Sequence, residues 1–375
     1  MKKIIQNEFI KAPLPVLPPG ILWKDFIFTL GMAGVDENRR VVSKDIVKQT
    51  RRTMERIVEV LKAENVNFRN VVKTRFFLTN ADNFESVNQT YKEITGEFFP
   101  ATTFTEIKRM PIKEEDFKIS MIAHKHEKRL IKTNKAPSIV PDHPQAVGVE
   151  DLIFIQGMNG FDVENNRLEE NIQHQTEKAF ENIYNILQVE NLNFDNIVKG
   201  TIYVTNLDYS NILINLCKKY VNFLIPFILE VPKISKLNEK ILIEVVASKK
   251  NGKKLYLEEP TSSLPKLAQG VSTENFIFVQ GMGGMIENTI GSSPQDINKQ
   301  VENTLENIEN VLKKDGMTLK NAVDAGIFLK DMEQYRKVNE IYAKYMGDIP
   351  PARICVEVSN MPDGCDIMIE LLAAR

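Results

Sequence analysis

The sequence has one tryptophan, three cysteines and four histidines in 375 residues, and no apolar run that approaches a bilayer span. Its longest uninterrupted run is FLIPFIL at 223–229, whereas a spanning helix needs about 20 residues. Cys217, Cys355 and Cys365 give no even framework and no CxxC pair, which argues against a disulfide scaffold and for a reducing compartment, by default the cytosol. Charge of one sign is also lacking. Forty-eight Lys and Arg against 50 Asp and Glu leave a net charge of −2, so no global field attracts nucleic acid or an anionic membrane. The first residues carry two lysines but no apolar core, so no secretory signal is expected. His124 and His126 have a metal-like spacing without an acidic or cysteine cluster beside them, and read as a solvated linker. The run GMGGM lacks the lysine and hydroxyl of a phosphate loop. Neither motif points to a metal or a phosphate site.

What is present is repetition. FTLGMAG, FIQGMNG and FVQGMGG begin at Phe28, Phe154 and Phe278, 126 and then 124 residues apart. Each is followed by a helical pattern: Met54, Ile57 and Leu61 match Phe180, Ile183 and Leu187, then Leu305, Ile308 and Leu312. Spacing of i, i+3 and i+7 places such residues on one helix face. The runs VVKTRFFLTN, IVKGTIYVTN and AVDAGIFLKD come next and are β-branched or aromatic, hence strands. A second helical pattern follows at 84–91, 209–216 and 335–342, and each third closes on a turn and a strand.

The spacing predicts three α+β domains, at 1–126, 127–250 and 251–375, joined by charged segments containing Gly or Pro. Two helices cover only one face of a sheet. Strands such as DLIFIQGM and DIMIELLAA are nonetheless apolar at nearly every position, as strands buried on both faces are. The open faces are therefore expected to pack on one another as an intramolecular pseudo-trimer, and the chain is expected to be a monomer.

The third unit resembles the reactive intermediate deaminase (RidA/YjgF-like) family through FVQGM, QVENTLENIENVLKK, IFLKDMEQYRKVNEIYAKY and PPARICVEVSNMPDGCDIMIELLAA. The first unit carries a good match and the second a weaker one. The resemblance implies a chorismate-mutase-like domain, trimeric assembly with clefts between subunits, and hydrolysis of reactive enamines and imines such as 2-aminoacrylate to a 2-keto acid and ammonia. No cofactor or metal is implied. The expected partner is a small carboxylate or imine, and not a nucleic acid or a membrane.

Residue types in the third unit are consistent with that chemistry. A guanidinium such as Arg353 suits two-point recognition of a carboxylate, but it also suits an ordinary strand-end ion pair. Glu370 is the one charge in IMIELLAA. A buried carboxylate needs a partner or a proton, so Glu370 reads either as the partner of Arg353 or, with the resemblance, as the group that positions or deprotonates the attacking water. Gly281, with Gly31 and Gly157, reads as a close approach of backbone to ligand or as a plain tight turn. Asn339 and Cys355 match family positions that line the pocket. Cys355 has no nearby His to activate it, which suggests packing or a backbone contact rather than nucleophilic chemistry.

The other copies depart from this pattern. Counting 25 residues on from Phe77, Tyr203 and Phe328 reaches Thr102, Ile228 and Arg353, so the clamp appears once. At the Glu position stand Ser120 and Glu244, and at the Asn position Asn88 and Leu213. Glu244 therefore needs a base from another unit or a proton, and Arg75 is one candidate partner. The family's pocket Tyr has no counterpart in PKLAQGV, while HPQAV carries His143 near that place. Alternatives to an enzyme with one working cleft are a non-catalytic carboxylate binder or scaffold and, more remotely, a ribonuclease.

Overall fold

A computed structural model describes residues 1–6, 17–224, 226–257, 267–285 and 293–375. The first unit comprises β1 (Lys3–Ile5), β2 (Gly20–Trp23), β3 (Phe26–Thr29), β4 (Met32–Ala33), α1 (Ile46–Ala63), β5 (Val71–Leu78), α2 (Phe84–Thr95), β6 (Ala101–Glu106) and β7 (Phe117–His124). The second comprises β8 (Arg129–Ile131), β9 (Ala146–Val149), β10 (Leu152–Met158), the β11 (Phe161–Asp162) and β12 (Arg167–Leu168) ribbon, α3 (Ile172–Gln188), β13 (Ile197–Val204), α4 (Ser210–Tyr220), β14 (Phe227–Glu230) and β15 (Ile241–Ser248). The third comprises β16 (Lys253–Leu255), β17 (Gly270–Ser272), β18 (Phe276–Gly283), α5 (Ile297–Lys313), β19 (Ala322–Leu329), α6 (Tyr335–Met346), β20 (Ala352–Glu357) and β21 (Ile367–Ala374).

The three sheets repeat one order: β1-β2-β3-β7-β5-β6, then β8-β9-β10-β15-β13-β14, then β16-β17-β18-β21-β19-β20. The last pair in each is parallel, and α2, α4 or α6 makes the crossover that a parallel pair requires. Local sequence explains the long helices. Asp45, Asn171 and Asp296 cap α1, α3 and α5, each accepting a backbone N–H of the first turn. The apolar stripe read from sequence is buried in all three helices, including Met54, Phe180 and Leu305.

The repeated glutamines and glycines have one structural explanation. Gln49, Gln175 and Gln300 are buried in the long helices. Their Oε1 atoms accept from the backbone N–H of Asp116, Lys240 and Asp366, at 2.9, 2.8 and 2.8 Å, and so tie each helix to the strand that ends its unit. The last glycine of each heptad, Gly34, Gly160 or Gly284, lies against the backbone of that same glutamine, where a Cβ would overlap it. The first glycine lies against a neighbouring unit.

Those contacts run in one direction. Gly31 packs on Ile354 of β20, Gly157 on Thr103 of β6 and Gly281 on Phe227 of β14. What approaches these glycines is protein, and Gly281 is placed against the second unit, away from Arg353. Phe77, Tyr203 and Phe328, one from each unit, are buried in one shared cluster. Full burial of one such side chain stabilises by about 1.5–3 kcal/mol, so this cluster is a large part of what joins the units. The contacts are compatible with the closed ring expected from the uncovered sheet faces. Among the described residues no helix is long and apolar enough to cross a membrane.

His124 departs from the linker reading. It ends β7, is 1% exposed, packs on Phe26 with ring centroids 4.5 Å apart, and has Nε2 3.2 Å from Glu150 Oε1. Asp25 and Glu150 lie close enough to it that the three could share an ion. Burial lowers the His124 pKa, with Glu150 opposing. The motif reading missed this because Asp25 and Glu150 reach His124 only through the fold.

Candidate ligand cleft between the first and third units

Arg353 and Glu370 do not meet. Across β19, Arg353 pairs with Ala325 and Glu370 with Gly326. Adjacent residues of one strand face opposite sides of a sheet, so the two side chains leave by opposite faces. Arg353 points to the helices and Glu370 to the junction of the three units. The buried Arg353–Glu370 pair is therefore not formed, and Glu370 does not line the Arg353 cleft.

The Arg353 guanidinium is 2% exposed and held from one side. Nη2 donates to Oδ1 of Asn339 on α6, and the group lies over the Tyr342 ring, 4.7 Å from its centroid. Among the described residues Nη1 is buried and has no hydrogen-bond partner. A buried guanidinium nitrogen left unpaired is costly, which makes it a place for an incoming acceptor. It borders a cavity of about 50 Å³ between the third unit, through Arg353, Cys355 and Tyr335, and the first, through Gly31, Arg56 and Lys118. That holds roughly three to five waters, the size of a small acid and not of a nucleotide. The Gly31 N–H donates to the Arg353 carbonyl at 2.9 Å and fixes the two units at the cleft edge.

Asn339 touches the Arg353 guanidinium and Cys355 lines the same cavity, whereas Gly281 lies against Phe227 of the second unit. Burial pushes the Cys355 thiol up to about 11, with the Arg353 and Lys118 charges opposing. It is a packed thiol at neutral pH. Lys118 was missed by sequence reasoning, although a signal existed. Phe77 pairs with Lys118 where Tyr203 pairs with Leu242 and Phe328 with Met368. A lysine stands where the other copies are apolar.

Glu370 belongs to a buried charge cluster at the junction. Its Oε2 lies 3.0 Å from Lys199 Nζ and accepts from Thr201 Oγ1 at 3.2 Å, while Oε1 accepts from Arg75 Nη1. Arg75 also holds Glu244, as its candidate pairing proposed, with Nε donating to Oε1 at 2.8 Å. Lys73 lies 3.0 Å from Glu244 Oε2. Burial raises the Glu244 pKa, but Arg75 and Lys73 outweigh it and hold the carboxyl well below its usual range. Burial lowers the Lys73 pKa to about 8, with Glu244 opposing. Burial pushes the neighbouring Asp324 carboxyl up to about 6 despite Arg75 and Lys199.

The equivalent clefts differ. Strand register matches Arg353 with Thr102 in the first unit and with Pro226 in the second, because Val356, Thr105 and Leu229 pair with Phe328, Phe77 and Tyr203. Ile228, reached by counting, is two residues out of register, since the segment before β14 is shorter. Between the first and second units Thr102 Oγ1 lies 2.9 Å from His143 Nδ1, and the His143 ring stacks on Phe99. Burial lowers the His143 pKa to about 4, so its ring does not supply the charge of the arginine. A cavity of about 330 Å³ beside it is walled by Phe84, Phe104, Ile139 and Phe161.

The three sheets of one strand order, each with two principal helices, define a protein of three tandem α+β units. The family model described as Endoribonuclease L-PSP matches residues 12–125, 133–248 and 259–375, and the chain belongs to that family. A RutC family protein of Pyrococcus abyssi is 34% identical over 119 residues, which cover 32% of this chain and 92% of the relative. Reactive Intermediate Deaminase A, chloroplastic, of Arabidopsis thaliana is 30% identical over 131 residues, covering 35% of this chain and 70% of the relative. A crystal structure of the conserved Rid family protein YyfA from Yersinia pestis, of unknown function, matches at 28% identity and a TM-score of 0.31, covering 32% of this chain and 98% of that one. Each relative corresponds to about one unit of this chain.

Proposed function

We propose that the cleft between the first and third units binds a small carboxylic acid through Arg353 and hydrolyses its 2-imino or enamine form to a 2-keto acid and ammonia. The observation that carries this reading is the buried Nη1 of Arg353, unpaired among the described residues and facing a cavity of small-acid size. A relative named Reactive Intermediate Deaminase supports the reaction class. In that reaction water adds to the C=N carbon, a proton passes to nitrogen, and the C–N bond breaks to release ammonia. Fixing the acid beside a water supplies much of what such a step needs.

One observation favours a second reading, in which the cleft holds the acid without turning it over. Glu370 is engaged by Arg75 and Lys199 on the opposite sheet face, so the carboxylate expected to serve the water is elsewhere. The test is 2-aminoacrylate generated in situ, with keto-acid release followed in wild type and Arg353→Met, beside calorimetric titration of pyruvate. Release that is lost in Arg353→Met supports hydrolysis. Pyruvate binding without release selects the binding protein. Neither signal in folded wild type ends both readings.

A further inference from the structure

The first unit lines its side of the cleft with positive charge. Arg39, Arg56 and Lys118 border the same cavity as Arg353. The acid beside them is Glu115, whose Oε1 lies 2.8 Å from Lys118 Nζ. Among the described residues, four cations less one carboxylate leave a net charge of +3 at a cavity of about 50 Å³, in a chain whose net charge is −2. One monocarboxylate on Arg353 would leave two positive charges uncompensated.

These cations have partners that leave charge over. Lys118 and Glu115 are nearly fully buried, and their pair is neutral. Arg56 Nη1 donates to the Ala33 carbonyl at 2.9 Å, which is a neutral acceptor. Arg39 is half-buried and its side chain has no ion pair among the described residues. It sits on a turn held by Asp36, whose Oδ1 accepts from the backbone N–H of Asn38 and Arg40 at 2.9 and 2.8 Å. Asp36 neutralises Arg40, at 3.1 Å, which leaves Arg39 for the cleft. Burial, and then repulsion by Arg52 and Arg39, lower the Arg56 pKa, with Glu115 opposing. An anion between Arg39 and Arg56 relieves that repulsion.

We infer that the cleft is selective for a small dicarboxylate, one carboxylate on Arg353 and the second on Arg39, Arg56 and Lys118 of the first unit. The inference rests on the reading that Arg353 receives a carboxylate. A room of roughly three to five waters accommodates a four- or five-carbon diacid. Charge-assisted bonds to guanidinium and ammonium groups supply the second contact. The selectivity is a property of the interface, because Arg353 comes from one unit and the other three cations from another.

The experiment is calorimetric titration of the intact chain at low salt with 2-oxoglutarate and, separately, 2-oxobutanoate, which lacks the second carboxylate. Wild type is expected to bind the diacid roughly tenfold more tightly or better, with the preference shrinking as salt rises. Arg39→Gln is expected to cut the preference several-fold, weakening 2-oxoglutarate far more than 2-oxobutanoate. Lys118→Met alone strands the buried Glu115 carboxylate, so the matched variant pairs it with Glu115→Gln and is expected to cut the preference less than Arg39→Gln, because the pair it removes is neutral. Arg353→Met is expected to lose both ligands. Equal affinities in wild type overturn the dicarboxylate inference and leave the carboxylate cleft standing. If 2-oxobutanoate binds and Arg353→Met binds it as well as wild type does, the Arg353 reading itself falls, and absence of binding by either acid overturns both.

Discussion

Arg75 of the first unit donates from Nε to Oε1 of Glu244 in the second at 2.8 Å, and its Nη1 reaches Glu370 in the third. One guanidinium thus joins all three units. Lys73, Lys199 and Asp324 occupy matching positions on β5, β13 and β19, so three cations and three carboxylates meet at the junction. The balanced charge allows them to be buried together. Each ion is desolvated at a cost of several kcal/mol, which only close pairing offsets.

Arg75→Met is expected to destabilise the protein by roughly 3–5 kcal/mol, because it leaves Glu244 and Glu370 short of a partner. Adding Glu244→Gln is expected to restore part of the loss. Urea unfolding of the single and double variants measures this coupling. Losses that simply add would show that the pair contributes no shared energy.

Stability is expected to depend on pH through Asp324. Its folded pKa of about 6 lies above the ordinary 3.8, so its contribution is fully present below 3.8 and is lost as pH rises through about 6. Glu244 and Glu370 act oppositely. Their folded pKa values are lowered, so their contribution is present above 4.5 and is lost as pH falls. Asp324→Asn is expected to gain on wild type by roughly 1–3 kcal/mol between pH 4 and pH 7. A difference that stays flat across that range would refute the assignment.

Gly281→Ala places a Cβ into the Phe227 ring at the junction of the second and third units. A cost of about 1–3 kcal/mol is expected from overpacking. Binding of 2-oxobutanoate at the distant Arg353 cleft is expected to survive. Loss of binding in a variant that remains folded would return Gly281 to the ligand site.

Shared burial of Phe77, Tyr203 and Phe328 satisfies the open sheet faces within one chain. Light scattering is therefore expected to give a single chain of 42.8 kDa. A mass three times larger at low concentration would mean that the units pair between chains.

The sequence by itself determined the units. Hydrophobic period and capping are local, so the helices at Met54, Phe180 and Leu305 and the strands after them were legible, as was the threefold repeat. Strand alternation made Arg353 and Cys355 legible on one face of a strand, whereas Asn339 was grouped with them only through the family resemblance. Tertiary structure alone decided which face each charge would use. A one-residue offset across β19 sends Arg353 and Glu370 to opposite sides of the sheet, and sequence distance carries no register. The same holds for Pro226, whose place depends on the pairing of Leu229 with Tyr203. Lys118 and Arg56 reach the cleft, and Arg75 reaches Glu244 and Glu370, only because separate units pack together. Contacts between units far apart in the chain leave no period in the sequence, and so the cleft's positive wall appeared only with the fold.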